Sequence, residues 1–220
     1  MRSQFTTVVL LAAIGSGSMY AAEQTSVVVY ISDRDGSSEL LRPGQRVASA
    51  IFAKIGVRLN WRAGELPATH SAAGNGAPQK VFGVRTLEHA PESATAGALA
   101  SARIVGSSET EITVYKDRLQ RFLDSHSNLA GVAGAGAGYV LAHELAHVMQ
   151  GVARHSESGI LKAQWSNTDY EEMLFHKLAF TNFDVDLIHQ GLAVASASSR
   201  SALAAEAESR SPADGDLPKR

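Results

Sequence analysis

The sequence predicts a single α/β (α+β) domain in which a mixed sheet of four to five strands lies over a long helix. Three observations support this: a strand–helix–strand opening, three more strand-like runs before residue 116, and one long helical run followed by a small helical C-terminal part. The chain has 220 residues, of which 45% are hydrophobic and 19% charged, enough for one domain with a sizeable core.

The opening segment alternates between the two kinds of element. Residues 27–31 form a β-branched run typical of a buried strand, and residues 57–61 alternate like a second one. Between them, apolar residues recur at helical spacing. Because Pro43 interrupts the start of this stretch, we expect the helix to begin near Gln45 and to end at Gly56.

The middle of the chain reads as a loop followed by more strands. Ala, Gly, Pro and Asn dominate residues 63–78 and predict a loop. Three further strands are expected at residues 81–87, 101–105 and 112–115, and a short helix at 116–124.

A glycine-alanine run precedes the long helix. Gly134, Gly136 and Gly138 raise the possibility of a phosphate-binding loop, but such loops follow a strand directly, whereas a polar stretch precedes these glycines. We therefore expect residues 131–138 to be a flexible loop leading into the helix.

The two ends of the chain differ from the domain between them. Arg2, an apolar run at residues 5–14 and small residues at 15–18 are typical of a secretory signal peptide, assigned to residues 1–22. The run is too short for a stable membrane anchor, so a secreted or periplasmic location is expected. The domain is predicted at residues 23–195 and a disordered tail at 196–220, where apolar anchors are few.

Composition limits the chemistry that the chain can support. The net charge of -2 shows no bias toward nucleic acid. Cysteine is absent, so a metal site must use His, Asp or Glu, and 8 histidines are present.

The long helix contains a pattern of zinc enzymes. His143 and His147 are four residues apart in a segment without Gly or Pro, so both imidazoles lie on one face of a helix and can bind one Zn²⁺. Glu144 can reach a water on the metal and take its proton as general base. The pattern predicts a catalytic zinc site.

A zinc site needs a third protein ligand. Gly151 suits a turn that ends the helix, after which the chain can bring His155 back to the metal. Glu171, Glu172 and Asp169 are the alternatives, because zinc accepts carboxylates as well as imidazoles.

The run from His143 to His155 resembles the zinc-binding signature of the metzincins, His-Glu-x-x-His-x-x-Gly-x-x-His. The spacing here is longer, since Gly151 and His155 lie eight and twelve residues after His143. Residues 156–161 correspond to the turn that places a methionine beneath the metal in the family. Leu161 stands at that position and has a similar volume, and Trp165 follows as in poorly characterised bacterial metzincin-like proteins.

The resemblance implies a zinc metallopeptidase that acts on a peptide or protein substrate, held in extended form by a neighbouring strand. Two other functions fit the same residues. One is an exported zinc-binding protein without catalytic activity, for which Glu144 would not be needed. The other is a zinc hydrolase of a non-peptide amide or ester, which uses the same chemistry.

Overall fold

A computed structural model describes residues 25–32, 38–67, 80–105, 109–125 and 132–209. The predicted signal peptide and most of the predicted loop at 63–78 lie outside these residues, so export stays a prediction. Within the described part of the chain, no helix is long and apolar enough to cross a membrane.

The predicted mixed sheet is confirmed, and among the described residues it has five strands. They are β1 (Thr25–Ile31), β2 (Val57–Ala63), β3 (Lys80–Leu87), β4 (Ala100–Val105) and β5 (Glu109–Tyr115). The order across the sheet is β2-β1-β3-β5-β4, parallel except for the antiparallel pair of β4 and β5. All five strands match predicted ones, because β-branched and alternating residues favour a half-buried sheet. β4 therefore forms one edge of the sheet.

Five helices accompany the sheet in the described part of the chain. They are α1 (Ser38–Ala53), α2 (Lys116–Ser125), α3 (Val132–Gln150), α4 (Asn167–Leu174) and α5 (Asn182–Ser209). The predicted start of the first helix near Gln45 is wrong, because α1 begins at Ser38 and includes Pro43. Leu41, which precedes the proline, is fully buried, so tertiary packing outweighs the roughly 3 kcal/mol that proline costs inside a helix.

The core lies between the helices and one face of the sheet. Along β1, Val27, Val29 and Ile31 are buried, whereas Val28 and Tyr30 on the opposite face are half-buried. Leu41 of α1 and Leu141 of α3 belong to the same hydrophobic cluster as the buried β1 residues. The helix with the histidines thus packs against the sheet, as predicted.

The glycine-alanine run is part of α3, so its prediction as a loop is wrong. A Cβ atom on Gly138 would lie 2.4 Å from the Cβ of Val47, and one on Gly44 would lie 2.9 Å from the backbone of Ala137. The glycines let the backbones of α1 and α3 approach closely. A phosphate-binding loop is excluded by the same finding, since these glycines are helical.

The C-terminal part is helical, as predicted, and closes over the end of α3. A Cβ atom on Gly191 of α5 would lie 2.0 Å from the carbonyl oxygen of Met149. α5 continues to Ser209 and so crosses the predicted boundary of the disordered tail at residue 196. Alanine-rich sequence favours this extension, and residues 210–220 lie outside the described part.

We expect Gly138→Ala to lower the free energy of unfolding by about 1–3 kcal/mol, because its methyl group would force α1 and α3 apart. Urea unfolding measures the change. Gln190→Ala, an exposed replacement on α5, is the control and should stay within about 0.5 kcal/mol of wild type. An unchanged or higher stability of Gly138→Ala would contradict the close packing.

Candidate metal centre

Helix α3 brings the first two histidines together. The ring centroids of His143 and His147 are 4.7 Å apart, and their Nε2 atoms are separated by 3.1 Å. His147 is buried, and His143 is half-buried. The two nitrogens therefore face a common point beside the helix, as the spacing predicted.

A backbone carbonyl fixes the orientation of His143. Its Nδ1 lies 2.8 Å from the carbonyl oxygen of Ile160. Because a carbonyl can only accept, Nδ1 carries the proton, and Nε2 keeps a lone pair for a metal. The indole of Trp165 donates to the same carbonyl at 3.2 Å and meets the His143 ring edge-on. This outer layer is the kind that holds a metal-binding imidazole in place.

His155 reaches the other two rings from a loop. Gly151 ends α3 with a φ of 70°, and its N–H donates to the carbonyl of His147 at 3.0 Å. The predicted helix-ending turn is thus confirmed. The ring centroid of His155 lies 5.3 Å from that of His143 and 5.0 Å from that of His147. His155 is exposed, so the site opens toward solvent on this side.

Burial keeps two of the three imidazoles neutral. It lowers the pKa of His143 to about 4, assisted by the adjacent His147 ring. Burial likewise lowers the pKa of His147 to about 4, assisted by His155. The Val152 carbonyl acts in the opposite direction and raises the pKa of His147. The buried Nδ1 of His147 nevertheless has no hydrogen-bond partner of regular geometry. Neutral rings have free lone pairs, which metal binding requires.

The three donors fit a zinc ion. One ligand nitrogen from each histidine lies within 4.8 Å of the other two, and the 3.1 Å Nε2–Nε2 separation is close to the roughly 3.3 Å expected between tetrahedral ligands at zinc–nitrogen bonds of about 2.0–2.1 Å. Imidazoles suit zinc chemically. Three protein ligands leave a fourth position free, which is typical of catalytic rather than structural sites.

Glu144 lies one residue from His143, about 100° further around the helix. Its side chain is half-buried. Burial alone raises the pKa of Glu144 to about 7. A carboxyl group with that pKa can both accept and return a proton at neutral pH.

The alternative third ligands do not join the cluster. Among the described residues, only the three histidines form a group of metal-binding side chains. Glu171 and Glu172 are exposed on α4. Asp169 instead accepts hydrogen bonds from Lys162, at 2.5 Å, and from the N-cap residue Ser166, at 2.7 Å. Asp169 is therefore the third helical residue of a capping box with Ser166 at the start of α4.

The segment after His155 forms a tight turn. Ser156 N–H donates to the Leu161 carbonyl at 2.8 Å, and Gly159 has a φ of 76°. A Cβ atom on Gly159 would lie 2.4 Å from the carbonyl oxygen of Ala179, so only glycine fits. Leu161 is fully buried in the core. The turn also presents the Ile160 carbonyl to His143.

Two contributors to the site were not predicted. The Ile160 carbonyl carries no residue-type signal, because any residue has one. Asp184 is fully buried and binds Arg154 and Ser156, the neighbours of His155. The spacing of Thr181 and Asp184 resembles a helix-capping pair, a signal for a helix start, but not for a contact with the loop of His155.

No protein family matches the sequence, and no curated protein matches it. Among solved structures, the chain is similar to archaemetzincin from Methanopyrus kandleri, with 16% identity over 80% of this chain and 99% of that chain, and a TM-score of 0.43. A likeness of this degree does not define a function.

We expect His155→Ala to weaken zinc binding by more than about 100-fold, because loss of a ligand exceeds the 10–100-fold cost of changes around ligands. Competition with a chromophoric chelator measures the affinity. Glu172→Ala is the matched control and should bind zinc like wild type. Loss of binding in Glu172→Ala instead would show that the third ligand has been misassigned.

The raised pKa of Glu144 predicts a pH-dependent effect on stability. Because the folded protein favours its protonated form, its contribution to the free energy of unfolding is greatest below pH 4.5 and is lost as the pH rises through about 7. In chelator-treated protein at pH 8, Glu144→Gln should therefore be more stable than wild type, on the order of 2 kcal/mol. The gain should vanish at pH 4, as thermal unfolding can measure. The exposed replacement Glu157→Gln should show no such dependence; an equal gain at both pH values would contradict the assignment.

Proposed function

We propose that this protein is a zinc-dependent metallopeptidase of the metzincin type, acting on peptide or protein substrates. The observation that carries the proposal is the convergence of His143, His147 and His155, with Glu144 next to the first of them on the same helix. The metzincin-like order of these residues along the chain supports the same function.

The residues of the chain divide the work of hydrolysis. A zinc ion held by the three imidazoles supplies the Lewis acidity that peptide hydrolysis needs. The Glu144 carboxylate accepts a proton from water as the water oxygen adds to the substrate carbonyl carbon, and it returns that proton to the amine nitrogen as the C–N bond breaks. Its pKa of about 7 suits both transfers at neutral pH.

The sheet offers a place for an extended substrate. β4 lies at one edge of the sheet, and α3 contacts β4. The other edge strand, β2, packs with α1 instead. An edge strand has free backbone groups to which a peptide can add as a further strand. We therefore place the peptide along β4, in line with the resemblance to metzincins.

The decisive experiment compares wild type with Glu144→Gln, both loaded with zinc and incubated with casein. We expect the variant to bind zinc like wild type but to cleave casein at least about 100-fold more slowly, since general-base catalysis contributes that much or more. Glu157→Gln serves as the matched control and should keep full activity.

The other outcomes separate the remaining functions. Zinc binding with hydrolysis of ester or non-peptide amide substrates, but not of casein or a peptide library, would identify a non-peptide hydrolase. Zinc binding without any hydrolysis would indicate a non-catalytic binding protein. Equal activity of Glu144→Gln and wild type would contradict the role given to Glu144.

A further inference from the structure

The loop that carries His155 buries few of its own side chains, so packing does little to hold it in place. Residues 151–155 belong to no helix or strand, and all except Arg154 are exposed. His143 and His147 are positioned by a packed helix. His155 needs another constraint to stay within ligand distance of them.

That constraint comes from one carboxylate on α5. Asp184 is fully buried. Its Oδ1 accepts a hydrogen bond from Arg154 Nη1 at 2.8 Å and another from Ser156 Oγ at 2.5 Å. Arg154 and Ser156 are the two neighbours of His155, so a single oxygen atom binds the side chains on both sides of the ligand.

The other oxygen of the same carboxylate contacts Thr181 instead of the loop. Oδ2 accepts from the backbone N–H of Thr181 at 3.1 Å and from its hydroxyl at 2.7 Å, while the Asp184 N–H donates to Thr181 Oγ1 at 3.2 Å. This reciprocal pair caps the start of α5. The loop contact and the helix cap can therefore be removed separately by mutation.

Asp184 is also fixed relative to α3. Gln150, in the last turn of α3, donates its side-chain N–H to the Asp184 carbonyl at 3.2 Å. The near contact of Gly191 with Met149 places α5 against the same turn. The carboxylate thus has a set position with respect to His147.

The carboxylate is a strong acceptor. Burial acts to raise the pKa of Asp184, but hydrogen bonds from Ser156, Thr181 and Arg154 outweigh it and hold the pKa below its usual value. Asp184 is therefore charged at neutral pH. Hydrogen bonds to a charged acceptor are roughly twice as strong as those between neutral groups.

We propose that Asp184 is a positioning residue for the metal centre, which holds the neighbours of His155 through Oδ1 and so sets this imidazole against His143 and His147. The inference rests on the proposed zinc site. It adds a residue that helps to hold the third ligand in place.

The test measures zinc affinity by chelator competition and melting temperature of the metal-free protein for a set of variants. Asp184→Asn, Ser156→Ala and Arg154→Gln each weaken the loop contact and should bind zinc about 10–100-fold more weakly. Ser156→Ala and Arg154→Gln each remove a hydrogen bond to a buried carboxylate, so they should lower the metal-free melting temperature, but no more than Thr181→Ala does, because the cap stays intact. Thr181→Ala, the matched control, should lower that temperature and leave zinc affinity unchanged.

Electrostatics alone predicts a different pattern. The positive charge of Arg154 lies close enough to His147 to lower the pKa of that imidazole. If charge were the only effect, removing the Arg154 charge would therefore tighten binding of a dication. Weaker binding by Arg154→Gln therefore indicates positioning. Asp186→Asn removes the same charge as Asp184→Asn, but at an exposed position of α5, and should bind zinc like wild type. The absorption spectrum of the Co²⁺-substituted protein, which reports ligand geometry, should change in Asp184→Asn and not in Asp186→Asn.

The results distinguish failure of this inference from failure of the proposed function. If wild type binds zinc and both Ser156→Ala and Arg154→Gln bind it equally tightly, the role of Asp184 is wrong while the zinc site stands. If wild type binds no zinc, both proposals are overturned. Should Asp184→Asn fail to fold, the two loop variants decide the question, since they leave Oδ2 and its helix cap in place.

Discussion

Close packing of α3 against α1 and the sheet sets the positions of His143, Glu144 and His147 in the candidate site. Gly44 and Gly138 allow the two helix backbones to approach so closely that a Cβ atom at either position would collide with the other helix. The α3 residues from Ala135 to Ala142 are buried. A helix packed this tightly keeps His143 and His147 in place relative to each other without a bound metal. Any movement of α3 would displace both imidazoles and Glu144 together.

The same burial determines the protonation of the site. Desolvation lowers the pKa of His143 and His147 to about 4 and raises that of Glu144 to about 7. Burial disfavours the charged form of each group, so one cause leaves two neutral ligands and a carboxyl group ready to exchange protons. The charged form of Glu144 lowers the free energy of unfolding above pH 7. Such a loss of stability is common at sites that carry out chemistry.

The third histidine follows a different principle. His155 is exposed and lies outside regular structure, so contacts between distant segments hold it in place. Asp184 holds its neighbours from α5, and the turn after it supplies the Ile160 carbonyl to His143. The candidate centre therefore combines a rigid helix with a tethered loop, and the tethers link the C-terminal helices to the site.

The sequence by itself predicted the strands, the helix with its His-Glu-x-x-His pattern, the turn at Gly151 and His155 as the favoured third ligand, because periodicity and residue chemistry act over short distances. Only the tertiary structure decided that the glycines at 134–138 are helical and that α1 runs through Pro43, since the close approach of two backbones leaves no local signal. It also decided the position of Asp184, which meets Arg154 across 30 residues. Such contacts depend on how distant segments pack, and no pattern within one segment records them.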